Sequence, residues 1–321
     1  MQAWQVATLG AAFCLQDVPD VQPAHGEVCV QVKCCGLNFA DLLMREGKYQ
    51  ERPALPYTPG MEVAGVVEVL GPGVTGLAPG TRVLAFLNSG GLAERVVVPA
   101  DRLLILPDDM PFADAAAFPI AYGTSHLALD HKARLQRGET LLVLGAAGGV
   151  GLTAVEIGKR MGARVIASAR GEAKLEIAKA AGADVVIDSD APDLKATLKA
   201  LGGVDVVYDA VGGPAFDAAL SACRPEGRLL AIGFASGQVP QVPANLLLVK
   251  NLSVMGLYWG GYQKFAPQVL RNSLETLLSW YGEGGLRPHV SHILPFSQLP
   301  QALDLLRDRK STGKVVVRVQ E

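Results

Sequence analysis

A glycine-rich turn in the middle of the chain carries the clearest chemical signal. The segment Gly145–Gly151 follows an apolar run, Thr140–Leu144, and leads into a second apolar stretch that is typical of a helix, Val150–Arg160. The small residues of a G-x-G-x-x-G-like pattern are Ala146, Gly148 and Gly151. A strand, a tight turn and a helix in this order present backbone N–H groups and the positive end of a helix dipole to a pyrophosphate. The pattern predicts a dinucleotide site with these candidate contacts: Ala147, Gly148, Gly149, Val150 and Gly151.

The segment after the turn indicates which dinucleotide is bound. Residues Ala163–Ala169 predict the next strand, and an acid at its end would bind the ribose hydroxyls of NAD. This chain instead has Ser168 and Arg170 there, with Lys174 one turn further along. The missing acid and the two cations favour the 2′-phosphate of NADPH. The alternative is that Arg170 and Lys174 are solvated charges on the helix Gly171–Ala181, since most arginines and lysines are exposed.

Composition narrows the class of protein. The 321 residues are 50% hydrophobic, enough for two domains with large cores, and a net charge of −2 offers no basic surface for nucleic acid. Five cysteines, two of them adjacent at Cys34 and Cys35, do not suggest a disulfide framework, and the first residues have no basic-then-apolar leader. The longest apolar stretch, residues 140–157, contains four glycines and predicts no membrane span. We expect a cytoplasmic protein.

The order of predicted elements divides the chain into two domains. In residues 1–118, alternating apolar residues broken by glycine and proline predict short strands. From Gly138 strands alternate with helices, which requires a parallel sheet covered on both faces. After a last such strand near Leu252–Leu257, two helices and a closing strand are predicted: Phe265–Tyr281, Leu299–Arg307 and Lys314–Val319. We expect an α/β protein with a doubly wound Rossmann parallel sheet in residues 119–258 and a β-rich domain formed by residues 1–118 and 259–321.

Four segments in this order resemble the medium-chain dehydrogenase/reductase superfamily. They are Gly36–Asp41, Leu55–Gly65, Ala146–Gly151 and Val207–Gly212. Within that superfamily the chain resembles the zinc-independent, zeta-crystallin-like quinone oxidoreductases. The resemblance spans nearly the whole chain. It implies a GroES-like catalytic domain beside the Rossmann domain, and a homodimer formed along the edge strand near Leu252–Leu257.

The resemblance also bears on a metal site. Zinc alcohol dehydrogenases of the superfamily have a cysteine ligand three residues before the Asp of the first segment and a histidine just before the Glu of the second. Asn38 and Met61 stand at those positions, and an amide and a thioether are poor zinc ligands. We therefore expect no metal. Without a Lewis acid the substrate must itself be electrophilic, as a quinone or an α,β-unsaturated carbonyl is.

Asn38, Tyr49 and Asp41 are the candidate catalytic residues. The amide of Asn38 supplies an N–H group where the metalloenzymes supply zinc, and such a donor stabilises the charge that hydride transfer leaves on a carbonyl oxygen. Tyr49 stands where related enoyl-thioester reductases have a tyrosine that positions or protonates the substrate. Alternatively, Asn38 only caps a helix that begins at Phe39, and Tyr49 only covers apolar surface.

Further cofactor contacts are expected at strand ends and from the resemblance. Ligands of open α/β sheets collect at the carboxyl ends of the strands, where this chain has Val211, Gly212, Gly233 and Phe234. The resemblance adds Thr124, Leu257, Tyr258, Trp259 and Arg309. Trp259 is equally compatible with a core or dimer contact. Two tyrosines that are frequent in relatives are absent, since Leu43 and Ser189 stand at their positions.

Together these expectations give one principal function and two alternatives. The principal function is an NADPH-dependent oxidoreductase that reduces quinones or other conjugated carbonyls without zinc. The first alternative, suggested by Tyr49, is an enoyl-thioester (2-enoyl-CoA) reductase. The second is an NADPH-binding, crystallin-like or nucleic-acid-associated protein with little catalysis, although the near-neutral charge gives nucleic-acid binding no support.

Overall fold

The computed structural model describes every residue from Met1 to Glu321. Its strands are β1 Gln2–Gln5, β2 Cys14–Asp17, β3 Glu27–Leu37, β4 Glu62–Leu70, β5 Arg82–Phe86, β6 Arg95–Pro99, β7 Leu103–Ile105, β8 Thr140–Leu144, β9 Arg164–Ala169, β10 Val185–Asp188, β11 Val204–Asp209, β12 Cys223–Ala231, β13 Ser253–Gly256, β14 Val290–Pro295 and β15 Lys314–Arg318. Its α-helices are α1 Phe39–Arg45, α2 Phe112–Ala116, α3 Pro119–His126, α4 Gly149–Arg160, α5 Glu172–Ala180, α6 Leu194–Ala200, α7 Gly213–Ala222, α8 Ala244–Lys250, α9 Tyr262–Phe265, α10 Pro267–Gly282 and α11 Leu299–Arg307. None of the helices combines the length and the apolar composition that a membrane crossing requires.

These elements form two compact units. The first consists of Met1–Ile120 and Pro288–Glu321, and the second of Ala121–Arg287. The second unit is built around six parallel strands in the order β10-β9-β8-β11-β12-β13. The chain fills one side of β8 with β9 and β10 and the other side with β11 to β13, so the sheet has a switch point between β8 and β11. This confirms the predicted doubly wound Rossmann sheet.

Strand β8 shows why this sequence forms a central parallel strand. All five of its residues are buried, as expected for a continuous apolar run that is covered by helices on both faces. Unlike the central strand β8, β13 lies at one edge of the sheet. The resemblance places a dimer contact there, and the homodimer stays a prediction.

The first unit is β-rich, in agreement with a GroES-like domain. Its main sheet has the order β14-β15-β3-β4-β5-β7, and β6 also pairs with β3. Apart from the parallel pair β14 and β15, these strands are antiparallel. The central strand β3 has fully buried valines at alternate positions, which are Val28, Val30 and Val32, as a strand with a period of two requires. Strand β15 brings the C-terminal segment beside β3.

One domain boundary differs from the expectation. The sequence predicts a return to the first domain at residue 259, but the chain remains in the second unit until Arg287. Helix α10 explains the difference, because Ser273 Oγ lies 2.8 Å from His126 Nδ1 on α3 and the Trp280 ring packs edge to face on His126. Three leucines of α10 are also buried. The amphipathic pattern of a helix identifies an apolar face but not the sheet that this face covers.

Candidate functional site

The glycine-rich turn closes tightly on the end of β9. The N–H groups of Gly145 and Ala146 donate to the carbonyl oxygen of Ser168 at 3.0 and 2.9 Å. Gly145 has a left-handed backbone conformation, with a φ of +74°, whereas Ala146 does not. Glycine adopts this conformation without strain. At Gly151 a Cβ atom would lie 2.1 Å from the carbonyl oxygen of Gly145. The turn therefore requires glycine at positions 145 and 151 and accepts alanine at position 146.

The start of α4 provides a cradle for an anion. This helix is 12 residues long, and its N-cap residue, Gly148, has no side chain that could cap the first N–H groups. A Cβ atom at Gly148 would come no closer than 3.4 Å to the chain, so packing alone does not require glycine there. Backbone N–H groups at the positive end of a helix suit a diphosphate. The predicted contacts around this helix start, Ala147 to Gly151, fit the phosphates of a dinucleotide.

A buried hydroxyl network supports the first turn of α4. Ser125 Oγ donates to the carbonyl oxygen of Val150 at 2.8 Å, and it lies 2.8 Å from Thr153 Oγ1 and 3.0 Å from the hydroxyl of Tyr208. These bonds join α3, α4 and β11. Thr124, the predicted contact next in sequence, is buried on α3. Sequence reasoning missed the network because its members lie up to 83 residues apart.

The predicted residues at the strand ends gather around the glycine turn. The carboxylate of Asp209 accepts hydrogen bonds from the N–H groups of Val211 at 2.8 Å and Gly212 at 2.9 Å. A Cβ atom at Gly145 would lie 3.0 Å from the Val211 side chain, and one at Gly212 would lie 3.2 Å from the Phe234 ring. The N–H of Gly233 points to the carbonyl oxygen of Asp209. Asp209, which the sequence did not single out, thus shapes this edge, and burial raises its pKa.

Arg170, which follows β9, forms an ion pair that the sequence did not predict. Ser168 is buried and Arg170 is exposed, with Arg170 Nε donating to Asp190 Oδ1 at 3.0 Å. Both partners are well exposed, at 69% and 59% of their side-chain surface. Such ion pairs stabilise a protein by at most about 1 kcal/mol, so a phosphate can compete with Asp190 for the guanidinium group. Lys174 is half-buried on the first turn of α5.

The remaining predicted cofactor contacts lie in both units. Leu257 follows β13, where its N–H donates to the carbonyl oxygen of Ala231 at 3.2 Å, and Tyr258 is the next residue. Trp259 is buried. Its indole lies against α3, because a Cβ atom at Gly123 would be 2.7 Å from Trp259 Nε1. Trp259 therefore packs within the second unit, and its contact with the cofactor stays a prediction. In the first unit, Arg309 is exposed just after α11 and has a φ of +55°.

In the first unit, Asn38 belongs to a hydrogen-bonded cluster. Its Nδ2 donates to Glu62 Oε1 at 2.9 Å, and its Oδ1 accepts from Lys314 Nζ at 2.9 Å. Lys314 Nζ also lies 2.6 Å from Glu62 Oε1. Glu62 and Lys314 are buried, whereas Asn38 is half-buried. Asn38 is the N-cap residue of α1, as the structural alternative predicts, but its side-chain amide also bonds to both charged groups.

Sheet register explains how three distant segments meet. Strand β3 ends just before Asn38, and its antiparallel neighbours β4 and β15 begin with Glu62 and Lys314. The end of one strand and the starts of its two neighbours therefore share one edge of the sheet. Gly36 leaves room for the carboxylate, since a Cβ atom there would lie 2.1 Å from the Ala116 carbonyl oxygen and 2.9 Å from Glu62 Oε1.

The carboxylate of Asp41, near this cluster, accepts its hydrogen bonds from backbone N–H groups. Its two carboxylate oxygens accept hydrogen bonds from the N–H groups of Asn38 at 2.9 Å and Gly60 at 3.1 Å. The residue is fully buried, and this burial raises the pKa of its carboxyl group to about 6. Asp41 therefore acts as a positioning residue, because it ties the start of α1 to the turn before β4.

Two phenols lie near this carboxylate. Tyr49 is half-buried after α1 and packs against the core of the first unit. Burial, and then the charge of Asp41, raise the pKa of the Tyr49 hydroxyl. Tyr57 is buried, and its hydroxyl makes no hydrogen bond within the chain. Burial raises the pKa of Tyr57 to about 12, so both phenols keep their protons at neutral pH.

The residues of the cluster do not fit a zinc ion. Zinc in proteins is bound by thiolate, imidazole or carboxylate ligands, and no three His, Cys, Asp or Glu side chains stand close enough to hold a metal. The Lys314 ammonium already lies between Asn38 Oδ1 and the Glu62 carboxylate. Met61, at the position of the superfamily's histidine ligand, is buried in the apolar core.

Comparison with known proteins agrees with this two-part architecture. The family model of the alcohol dehydrogenase GroES-like domain matches residues 24–108, and the zinc-binding dehydrogenase model matches residues 149–277. A quinone oxidoreductase-like protein 2 homolog from Nematostella vectensis is 43% identical over 301 residues, which cover 92% of this chain and 82% of that protein. The chain belongs to the quinone oxidoreductase family of the medium-chain dehydrogenases/reductases. The resemblance noted in the sequence is thereby confirmed.

Two further proteins of known sequence or structure are similar to this chain. The quinone oxidoreductase from Thermus thermophilus, whose structure was also solved in complex with NADPH, is 38% identical with a TM-score of 0.89. The match covers 99% of this chain and 100% of that one. The human synaptic vesicle membrane protein VAT-1 homolog is 32% identical over 94% of this chain and 82% of its own length.

Proposed function

We propose that the protein is an NADPH-dependent reductase that transfers hydride to quinones or other conjugated carbonyls without a bound zinc ion. The observation that carries this proposal is the cluster of Asn38, Glu62 and Lys314. It puts an amide donor, Asn38, at the position where zinc enzymes of the superfamily have a cysteine ligand, and it bonds that amide to the Lys314 ammonium and the Glu62 carboxylate.

The second unit supports the choice of NADPH. Its glycine turn fits a diphosphate, and β9 is followed by Arg170 without the acid that would favour NAD. The ion pair of Arg170 with Asp190 is exposed and therefore weak, so the guanidinium group remains able to bind a 2′-phosphate. The Thermus relative was solved with the same cofactor. When bound, NADPH supplies the hydride.

The side chains of the first unit supply what hydride transfer to a conjugated carbonyl needs. The reaction leaves negative charge on the carbonyl oxygen, and the Asn38 amide is the donor that stabilises it. One proton must also be delivered for each hydride. The phenol of Tyr49 is protonated at neutral pH, as tyrosine hydroxyls ordinarily are, and we assign it this delivery. Asp41 holds the backbone of Asn38 in place.

A substrate comparison tests the proposal. NADPH oxidation is followed with a simple quinone, an enone, crotonyl-CoA and a saturated ketone. We expect kcat/KM for the quinone or the enone to exceed that for the saturated ketone by about 100-fold or more, since the chain has no Lewis acid to polarise an isolated carbonyl. A saturated ketone that is reduced as fast as the quinone would contradict the proposal.

Two other outcomes would favour the alternatives. A higher kcat/KM for crotonyl-CoA than for the quinone would make the protein an enoyl-thioester reductase, the function that Tyr49 suggests. Tight NADPH binding without turnover of any conjugated carbonyl would favour a binding protein with little catalysis. A gel shift with DNA, repeated at increasing salt, would then test the nucleic-acid version of that alternative.

A further inference from the structure

All polar atoms of Lys314 and Glu62 already have partners within the first unit. The ammonium group of Lys314 has three N–H bonds, and its acceptors are the Leu37 carbonyl oxygen at 2.7 Å, Asn38 Oδ1 at 2.9 Å and Glu62 Oε1 at 2.6 Å. The other carboxylate oxygen, Glu62 Oε2, accepts from the N–H of Ile120 at 2.8 Å. Both side chains are buried. Burial therefore keeps a substrate away from both side chains.

The two charged groups fix which way the Asn38 amide points. An ammonium group can only donate, so Lys314 must face the amide oxygen. An ionised carboxylate can only accept, so Glu62 must face the amide nitrogen. If the amide were flipped, two donors would face each other at Lys314 and two acceptors at Glu62. The orientation of Asn38 is therefore set twice, by opposite charges.

One donor of the cluster remains available. The Nδ2 atom of Asn38 carries two hydrogens, and Glu62 Oε1 accepts one of them. Within the chain no acceptor bonds to the other. Because Asn38 is half-buried while its two partners are buried, this second N–H is the donor of the cluster that a substrate can reach.

We propose that Lys314 and Glu62 are positioning residues that hold this second N–H of Asn38 toward the carbonyl oxygen of the substrate. The inference rests on the proposed function and assigns the two charged residues a role in it. An amide that is held from both sides needs no reorganisation when charge develops on the substrate.

A series of substitutions at Lys314 tests this role. Lys314→Arg keeps a charged donor, Lys314→Gln keeps a neutral donor, and Lys314→Met removes both. We expect kcat for the quinone to fall in that order, by about tenfold or more at Lys314→Met, as the loss of groups that orient a reacting centre does. The quinone KM and the NADPH Kd should stay within about twofold, since neither residue binds substrate or cofactor. Lys310→Met, at an exposed lysine on the same segment, should leave kcat unchanged.

The same series in an Asn38→Ala background separates orientation from stability. If Lys314 acts through Asn38, the Lys314 substitutions lower kcat no further once the amide is gone. An equal loss of kcat in both backgrounds, or a wild-type kcat for Lys314→Met, would overturn the inference. If Lys314→Met does not fold, the Arg and Gln variants carry the comparison.

A crystallographic measurement separates this inference from the proposed function. In the wild type, Asn38 should have a single ordered rotamer with Oδ1 toward Lys314. In Lys314→Gln or Lys314→Arg, loss of the ammonium group at its present position should shift or disorder that rotamer. An unchanged Asn38 in both variants would overturn the inference even if quinone reduction is observed. A wild type that reduces no conjugated carbonyl would overturn the proposed function, whatever the rotamer shows.

Discussion

The two units build their candidate sites in opposite ways. In the second unit the phosphate cradle consists of the backbone of one continuous segment, Gly145–Gly151. In the first unit the polar cluster consists of side chains up to 276 residues apart, those of Asn38, Glu62 and Lys314. A backbone site depends on which positions lack a side chain, whereas a side-chain cluster depends on every partner being present. Damage to the first should therefore reduce cofactor affinity, and damage to the second should reduce turnover.

The largest effect is expected from Asn38→Ala. This substitution removes the donor that stabilises the developing oxygen anion, and loss of one such donor typically lowers kcat by about 100-fold or more. NADPH affinity, measured by fluorescence titration, should stay within about twofold. The matched control is Asn272→Ala on the exposed side of α10. A loss of NADPH affinity as large as the loss of kcat would contradict the separation between the two sites.

A second prediction concerns the stability that the buried Asp41 gives the first unit. Its pKa is about 6 in the folded protein against an ordinary value of 3.8, so the folded state binds the proton more tightly. The stabilisation is fully present below pH 4 and is lost as the pH rises through 6. Relative to Asp41→Asn, the wild type should lose about 2 to 3 kcal/mol in the free energy of unfolding between pH 4 and 7. Urea denaturation at each pH measures this difference, and a constant difference would contradict the burial argument.

The third prediction separates two glycines of the backbone site. Gly148→Ala should fold normally, because the new Cβ atom meets nothing closer than 3.4 Å. The methyl group should nevertheless lower the affinity for NADPH by about tenfold, because it obstructs the approach of the diphosphate to the start of α4. Gly151→Ala should instead destabilise the unit, since its Cβ would lie 2.1 Å from a carbonyl oxygen. Titration with NADPH and thermal unfolding distinguish them. Gly282→Ala, with open space around the new methyl group, is the control.

The smallest effects are expected at the exposed ion pair of Arg170 and Asp190. Arg170→Ala should weaken NADPH by roughly threefold to tenfold and leave NADH almost unchanged, because only NADPH offers a phosphate to the guanidinium group. Asp190→Asn should have the opposite effect and raise the affinity for NADPH by about twofold, because an exposed ion pair is weak. If Arg170→Ala lowered the affinities for NADPH and NADH equally, Arg170 would not bind the 2′-phosphate.

The same contrast explains how much of the molecule could be predicted from the sequence. The turn is a local feature, so its spacing alone identified the strand Thr140–Leu144 as it is observed and placed the start of α4 within one residue. Asn38 was recognised because the resemblance places a metal ligand of the zinc enzymes three residues before Asp41, again a local relation. Its partners were not recognised, since Glu62 and Lys314 approach it only through strand register.

Some signals for these partners were nevertheless present in the sequence. Glu62 and Lys314 are charged residues at the first positions of strands, and each is followed directly by an apolar run, Val63–Val67 and Val315–Val317. Buried charges are rare unless they are paired. Two opposite charges of this kind, in two strands that flank the same central strand, predict each other once the strand order is known. The sequence held no such signal for Asp190 as the partner of Arg170, because a charged residue in a loop does not identify its partner. It also held none for the packing of α10 in the second unit, because an amphipathic helix does not identify the surface that its apolar face covers.

The central claim is that protein donors take the place of a metal in this reductase. It is tested most directly by measuring metal content and NADPH-dependent quinone reduction on the same sample, before and after treatment with a chelator. We predict no stoichiometric metal and an unchanged rate. One zinc ion per chain, together with a rate that is lost on chelation and restored by zinc, would contradict it.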